Sequence, residues 1–108
     1  MNSAFHISRK AEEDILGCMR YLLNKNPSLP ARFLASFEET CKSLLDMPNM
    51  GKVRTFEYTA LLNIREVPMR EFKKYLIFYR ENHGDIEVVR VIHGARDLPA
   101  IFAENPIS

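Results

Sequence analysis

KKYLIFYRENHGDIEVVRVIHGARD, residues 73–97, holds two β-strand patterns separated by a short polar loop. Tyr75 to Tyr79 is an unbroken apolar run of aromatic and β-branched residues, too short for a typical helix. Glu81-Asn82-His83-Gly84-Asp85 supplies loop chemistry, because Asn and Gly tolerate positive φ and Asp can close its own backbone turn. Ile86 to Ile92 is apolar on both parities, with Ile86, Val88 and Ile92 on one and Val89 and Val91 on the other. A strand apolar on both faces is buried on both, so this hairpin belongs at the centre of a sheet. The chain leaves it through His93-Gly94-Ala95-Arg96-Asp97, placing an imidazole, a guanidinium and a carboxylate at a buried strand end, where function is often carried.

N-terminal to this hairpin the apolar period changes from two to nearly four. Ala4 to Ile7 is a short strand pattern, and Ser8 offers a helix N-cap followed by Glu12, Glu13 and Asp14 in the early turns, where carboxylates suit the helix dipole. Ala11, Ile15, Cys18 or Met19 and Leu22 form one stripe, and Asn26-Pro27 ends that helix near Lys25. Ser28-Leu29-Pro30 opens a second helix, with Pro in the first turn, where its missing N–H costs nothing. Its stripe runs through Phe33 or Leu34, Phe37, Cys41, Leu44 and Leu45 to Met47-Pro48. Helices over 8–25 and 28–47 with so short a connection pack antiparallel, and the large apolar surface left for them to cover is the sheet. Asn49 to Ala60 reads as loop, and Leu61 to Val67 as a strand ended by Pro68. After Asp97, Leu98, Ile101 and Phe102 suggest a short terminal helix or turn entered at Pro99. The expected fold is therefore α+β: an antiparallel sheet of about four strands in the order β-α-α-β-β-β, with an N-terminal helical hairpin packed across it.

The 108 residues fit one domain spanning 1–108, without internal repeats or a low-complexity segment. Hydrophobic residues at 46% and charged residues at 27% are ordinary globular proportions, and a formal net charge of +1 gives no general pull toward nucleic acid or anionic membrane. Cys18 and Cys41 lie on apolar helical phases and read as buried free thiols, with a disulfide between them as the alternative. No Cys/His cluster has metal-ligand spacing, so neither metal nor cofactor is expected. With no signal-peptide pattern and no apolar run near bilayer length, the expected location is the cytoplasm.

KYLIFYR followed by EVVRVIHGARDL resembles the C-terminal half of the RelE/ParE superfamily, the toxins of bacterial type II toxin–antitoxin pairs. RVIHGARD in particular resembles the ParE branch, and the order of elements matches over nearly the whole chain. The resemblance implies a toxin neutralised by a small cognate antitoxin, ParD-like or similar. ParE-type toxins act on DNA gyrase by binding; RelE-type relatives cut mRNA on the ribosome.

Each activity selects residues. Cleavage by a 2′-hydroxyl needs a base, cationic stabilisation of the phosphorane and an acid for the leaving oxygen. Lys52, Arg54, Arg65, His93 and Arg96 are the residue types for that work. Their structural alternatives are solubility for Lys52 and Arg54, an ion pair of Arg65 with Glu66 or Glu71, and a strand-end hydrogen bond for His93. RelE-type ribonucleases with a matching turn commonly carry Tyr six residues past its Arg; here that position is Phe102, which cannot move a proton. A ribosome ligand also profits from strong positive charge, which this chain lacks. A binding toxin needs instead a rigid face with a few anchors. Lys73, Lys74, Arg90, His93, Arg96 and Asp97 are the candidates for it, with Arg96 and Asp97 alternatively pinning the C-terminal turn. Met19, Leu22 and Leu23 on the first helix are candidates for an antitoxin-binding groove, or for plain core. The binding activity, directed at gyrase and without direct contact to nucleic acid, is the expectation; the ribonuclease is its alternative.

Overall fold

The computed structural model describes residues 4–54, 63–96 and 98–104. Its elements run β1 (Phe5–Ile7), α1 (Arg9–Lys25), α2 (Leu29–Asp46), β2 (Lys52–Val53), β3 (Arg65–Pro68), β4 (Tyr75–Asn82), β5 (Asp85–His93) and α3 (Leu98–Glu104). One five-stranded sheet has the order β1-β5-β4-β3-β2. The expected hairpin is β4 and β5, in the sheet's interior, and its connection is tighter than the polar run suggests. Asn82 pairs with Asp85, leaving His83 (φ 52°) and Gly84 (φ 87°) as a two-residue turn with both φ positive. Asp85 does not close that turn: its carboxylate accepts from the Ala4 N–H (3.0 Å) and meets the His6 ring (3.2 Å), tying the start of β1 to the hairpin. These two contacts, the Ala4 N–H foremost, hold the Asp85 carboxyl below its ordinary pKa.

The expected fold stands, and the structure adds three details to it. The sheet has five strands, because Lys52–Val53, expected as loop, pairs with Glu66 and Arg65. It is not wholly antiparallel, because the edge strand β1 runs parallel to β5. Both faces are covered: α1 and α2 on one, α3 on the other. The strand expected over 61–67 is Arg65–Pro68, with Leu61 and Leu62 outside the described residues.

Helix boundaries follow the caps. The Ser8 side chain accepts from the Ala11 N–H at 3.1 Å, as an N-cap should. Ser28 makes no such bond; its hydroxyl and N–H both turn back to Asn26 Oδ1 at 2.9 Å, closing the three-residue link between the helices. Ala11, Ile15, Leu22, Phe33, Phe37 and Leu44 pack on Tyr75, Ile77, Tyr79, Ile86, Val88 and Val91. Phe78, Val89 and Ile92 face the other way, onto Ile64 and the α3 residues Leu98, Ile101 and Phe102. Cys18 and Cys41 are free, and burial pushes their thiols up to about 11 and about 12, so both stay protonated at neutral pH.

Gly51 is fixed by close approach. Its N–H donates to the buried Tyr79 hydroxyl (2.8 Å), which donates in turn to the Pro48 carbonyl (2.7 Å). A Cβ on Gly51 would lie 2.5 Å from that hydroxyl and 2.9 Å from the Glu66 carbonyl oxygen. Gly51→Ala must therefore push the α2–β2 connection off the sheet, at a cost of about 1–3 kcal/mol. Urea denaturation checks this; an unchanged midpoint would show that the contact is dispensable.

Candidate functional site

The end of the sheet where β5 exits is assembled by three hydrogen bonds and one ring contact. The β3–β4 turn folds onto α2 through the Arg70 N–H to Thr40 Oγ1 (3.1 Å) and the Ser36 hydroxyl to Glu71 Oε2 (3.2 Å). Glu71 holds φ 68°, and Phe72 packs edge-on to Phe33 at 5.3 Å. The Gly94 N–H donates to the Lys74 carbonyl at 2.7 Å, joining this turn to the exit of β5. Lys73 and Lys74 are therefore exposed on an anchored turn beside Gly94, with Arg96 exposed two residues further on. The His93 ring stands edge-on to Tyr75 at 5.0 Å, and its Nδ1 accepts from the Ala95 N–H at 3.1 Å. In the neutral ring an accepting Nδ1 puts the proton on Nε2. Lys73, Lys74, His93 and Arg96 thus share one end of the sheet, with Arg70 a basic addition that the sequence pattern did not single out. Asp97 lies outside the described residues.

Arg90 is a correction. Its side chain is 5% exposed, and Nε and Nη2 donate to the two oxygens of Asp14 at 2.7 and 3.0 Å. Asp14 Oδ2 also accepts the Val91 N–H at 3.0 Å. The register explains how a strand arginine reaches a helix. Phe78 faces Arg90 and Tyr79 faces Val88, so Val89 is an extra residue in β5. Such a bulge re-aims the following side chain. A guanidinium so enclosed presents almost nothing to a macromolecule.

The five residues considered for cleavage do not form one group. Arg65 donates to the Gly51 and Asn49 carbonyls at 2.7 and 3.3 Å rather than pairing with Glu66 or Glu71. Glu66 is paired instead with Arg54 (3.4 Å), and Lys52 is exposed on β2. Arg65 opposes Tyr79, whereas His93 opposes Tyr75 on the far side of β4. Four residues along β4 and two strand spacings across put the Arg65 and His93 backbones roughly 13 Å apart in one direction and about 10 Å in the other. Phe102, buried, packs edge-on to Phe78 at 5.0 Å in the second core.

The antitoxin candidates divide. Leu22 is buried core, whereas Leu23 is 52% exposed and Met19 half-buried. Leu16, 58% exposed, completes a Leu16–Met19–Leu23 stripe along α1. A groove of about 400 Å³ beside it is lined by Leu16, Met19, Leu34, Phe37, Phe5 and Ile7. Leu16 escaped the sequence reading because it sits beside the core stripe, not on it, and Leu34, an alternative to Phe33 on the α2 stripe, is exposed while Phe33 is buried.

The described residues thus form a small domain with a helical hairpin on a sheet, an apolar groove along one helix and a basic strand exit. The profile of the family described as "ParE toxin of type II toxin-antitoxin system, parDE" matches residues 5–98, and the chain belongs to that family. A solved chain from the "Chromosomal ParDE TA system from P. aeruginosa" shares the fold with a TM-score of 0.66 and 19% identity, covering 86% of this chain and 96% of that one. No curated protein matches the sequence. Among the described residues no helix is long and apolar enough to cross a membrane, and no cluster of three or more His, Cys, Asp or Glu could hold a metal.

Removing one partner from a buried pair strands the other charge, at a cost of about 3–5 kcal/mol. Asp14→Ala is expected to lose that much, since it strands both the Arg90 guanidinium and the Val91 N–H. Denaturant melts of Asp14→Ala and Arg90→Ala check the assignment; losses below about 1 kcal/mol would return Arg90 to the list of candidate contacts.

Proposed function

We propose that this ParE-family toxin inhibits DNA gyrase by binding it through the basic end of the sheet, and that an antitoxin neutralises it by laying an amphipathic segment along the α1–α2 groove. The observation that carries the first part is the gathering of Lys73, Lys74, His93 and Arg96 on anchored backbone, apart from Arg54 and Arg65, which are engaged in holding β2 and the α2–β2 connection. Separated cations suit contact over an area; a single phosphorane needs them converged. The burial of Phe102 in the second core is consistent with a structural residue at the position where a ribonuclease would carry its tyrosine. For the second part, the Leu16–Met19–Leu23 stripe has the spacing that receives a helix. The work is done in the cytoplasm, where gyrase and its DNA are found, and needs no cofactor.

Purified toxin is expected to inhibit gyrase supercoiling and to leave ribosome-bound mRNA intact. Each of Lys73→Ala, Lys74→Ala and Arg96→Ala should weaken inhibition by roughly tenfold, the effect of losing one anchor worth about 1.4 kcal/mol. Codon-positioned mRNA cleavage abolished by His93→Ala would replace this function with the ribonuclease. For the antitoxin, Leu16→Glu together with Met19→Glu should abolish co-purification while growth arrest persists; retained co-purification would place the antitoxin elsewhere.

A further inference from the structure

On the other flank of α1 a cleft of about 590 Å³ opens between that helix and the exit of β5, walled by Gly17, Cys18, Tyr21, Tyr75, His93 and Arg96. Gly17 sits in mid-helix, exposed, and a Cβ placed on it meets nothing within 4 Å. Packing does not require a glycine there, and glycine is the poorest helix former after proline. What its missing side chain does provide is open space at the cleft wall. The rings of Tyr75 and His93 stand edge to face there, and Tyr21 is 56% exposed. The carboxylates of the cleft are engaged: Asp14 by Arg90, and Glu13 with Lys10 at 3.5 Å and Arg9 at 4.0 Å. Arg96 is exposed beside the aromatic rings.

We infer that this cleft is the specificity pocket of the target-binding face, receiving one aromatic or large apolar side chain of the target protein with a carboxylate near it for Arg96. The inference rests on the proposed binding function and adds to the basic end of the sheet a concave anchor point next to it. Buried aromatic and arginine anchors seated in pockets carry most of the energy of protein interfaces. A nucleobase would find the same rings, but among the described residues lining the cleft Arg96 is the one fixed positive charge, enough for a single carboxylate and little for a phosphate backbone on a chain whose net charge is +1. A protein side chain is therefore the occupant.

The test compares Gly17→Ala and Gly17→Leu in the full chain by thermal melting, antitoxin co-purification, gyrase supercoiling and growth arrest. Gly17→Ala should melt about 4 °C higher than wild type, because the helix gains propensity without a clash. Gly17→Leu should melt no lower than wild type and still co-purify with antitoxin, whose proposed groove lies on the opposite flank of α1. It should lose at least tenfold in gyrase inhibition and relieve growth arrest to match. Inhibition and arrest within threefold of wild type would overturn the proposal. If the wild type arrests growth without inhibiting gyrase, the gyrase assignment falls and the pocket is judged on arrest alone: relief by Gly17→Leu supports it, no relief overturns it. A wild type that does neither overturns both, and mRNA cleavage lost in Gly17→Leu overturns the protein occupant. Should Gly17→Leu fold poorly, Tyr21→Ala removes the exposed ring instead, under the same outcomes.

Discussion

The bidentate pair between Asp14 and Arg90, with the Val91 N–H as its third member, is the contact on which the arrangement of this molecule depends. Among the described residues β1 pairs with Ile86 to Val88, and beyond Val88 no strand lies beside that edge of β5. Exposed amides on a sheet edge invite pairing with other chains. Here the start of α1 takes over from β1. The Ser8 N–H bonds the Val88 carbonyl at 2.9 Å, the Ser8 hydroxyl bonds the Val89 carbonyl at 3.1 Å, and Asp14 accepts the Val91 N–H. The helix is thereby fixed both in its rotation and in its distance from the strand.

Fixing the rotation of α1 gives the helix its two separate flanks. Ile15, Leu16 and Met19 turn toward α2 and β1, while Asp14, Gly17, Cys18 and Tyr21 turn toward the exit of β5. In the proposed function one flank serves the antitoxin and the other the target. A helix free to roll by a third of a turn would mix the two sets. In that proposal an antitoxin on the first flank leaves the target face uncovered.

How much of this was legible in the sequence depended on how local each cause was. The hairpin, the Ser8 cap and the two helices follow from patterns a few residues long, and they were read correctly. The strand β2 was missed because Lys52–Val53 has no pattern of its own; it exists because Arg65 and Glu66 lie opposite. The terminal residues Leu98, Ile101 and Phe102 suggested a short helix, but not that it would roof the second face of the sheet. Arg90 was misjudged for a different reason. Its ion-pair partner is 76 residues away, and the bulge at Val89 breaks the alternation that would show which way it points. A signal was present nonetheless: a lone charge inside VVRVI, a strand buried on both faces, has to be paired. Asp14, three residues from Ala11 and four from Cys18, was an acid on the inner side of the first helix.

Two partners on two flanks of one rigid helix is the central claim, and hydrogen exchange of the toxin with each partner in turn addresses it directly. Antitoxin is expected to protect amides along α2 and β1, beside the Leu16–Met19 groove. Gyrase is expected to protect the β3–β4 turn and the segment from His93 to Arg96, leaving α2 unchanged. Protection of the same segments by both partners, or of α2 by gyrase, would contradict the account.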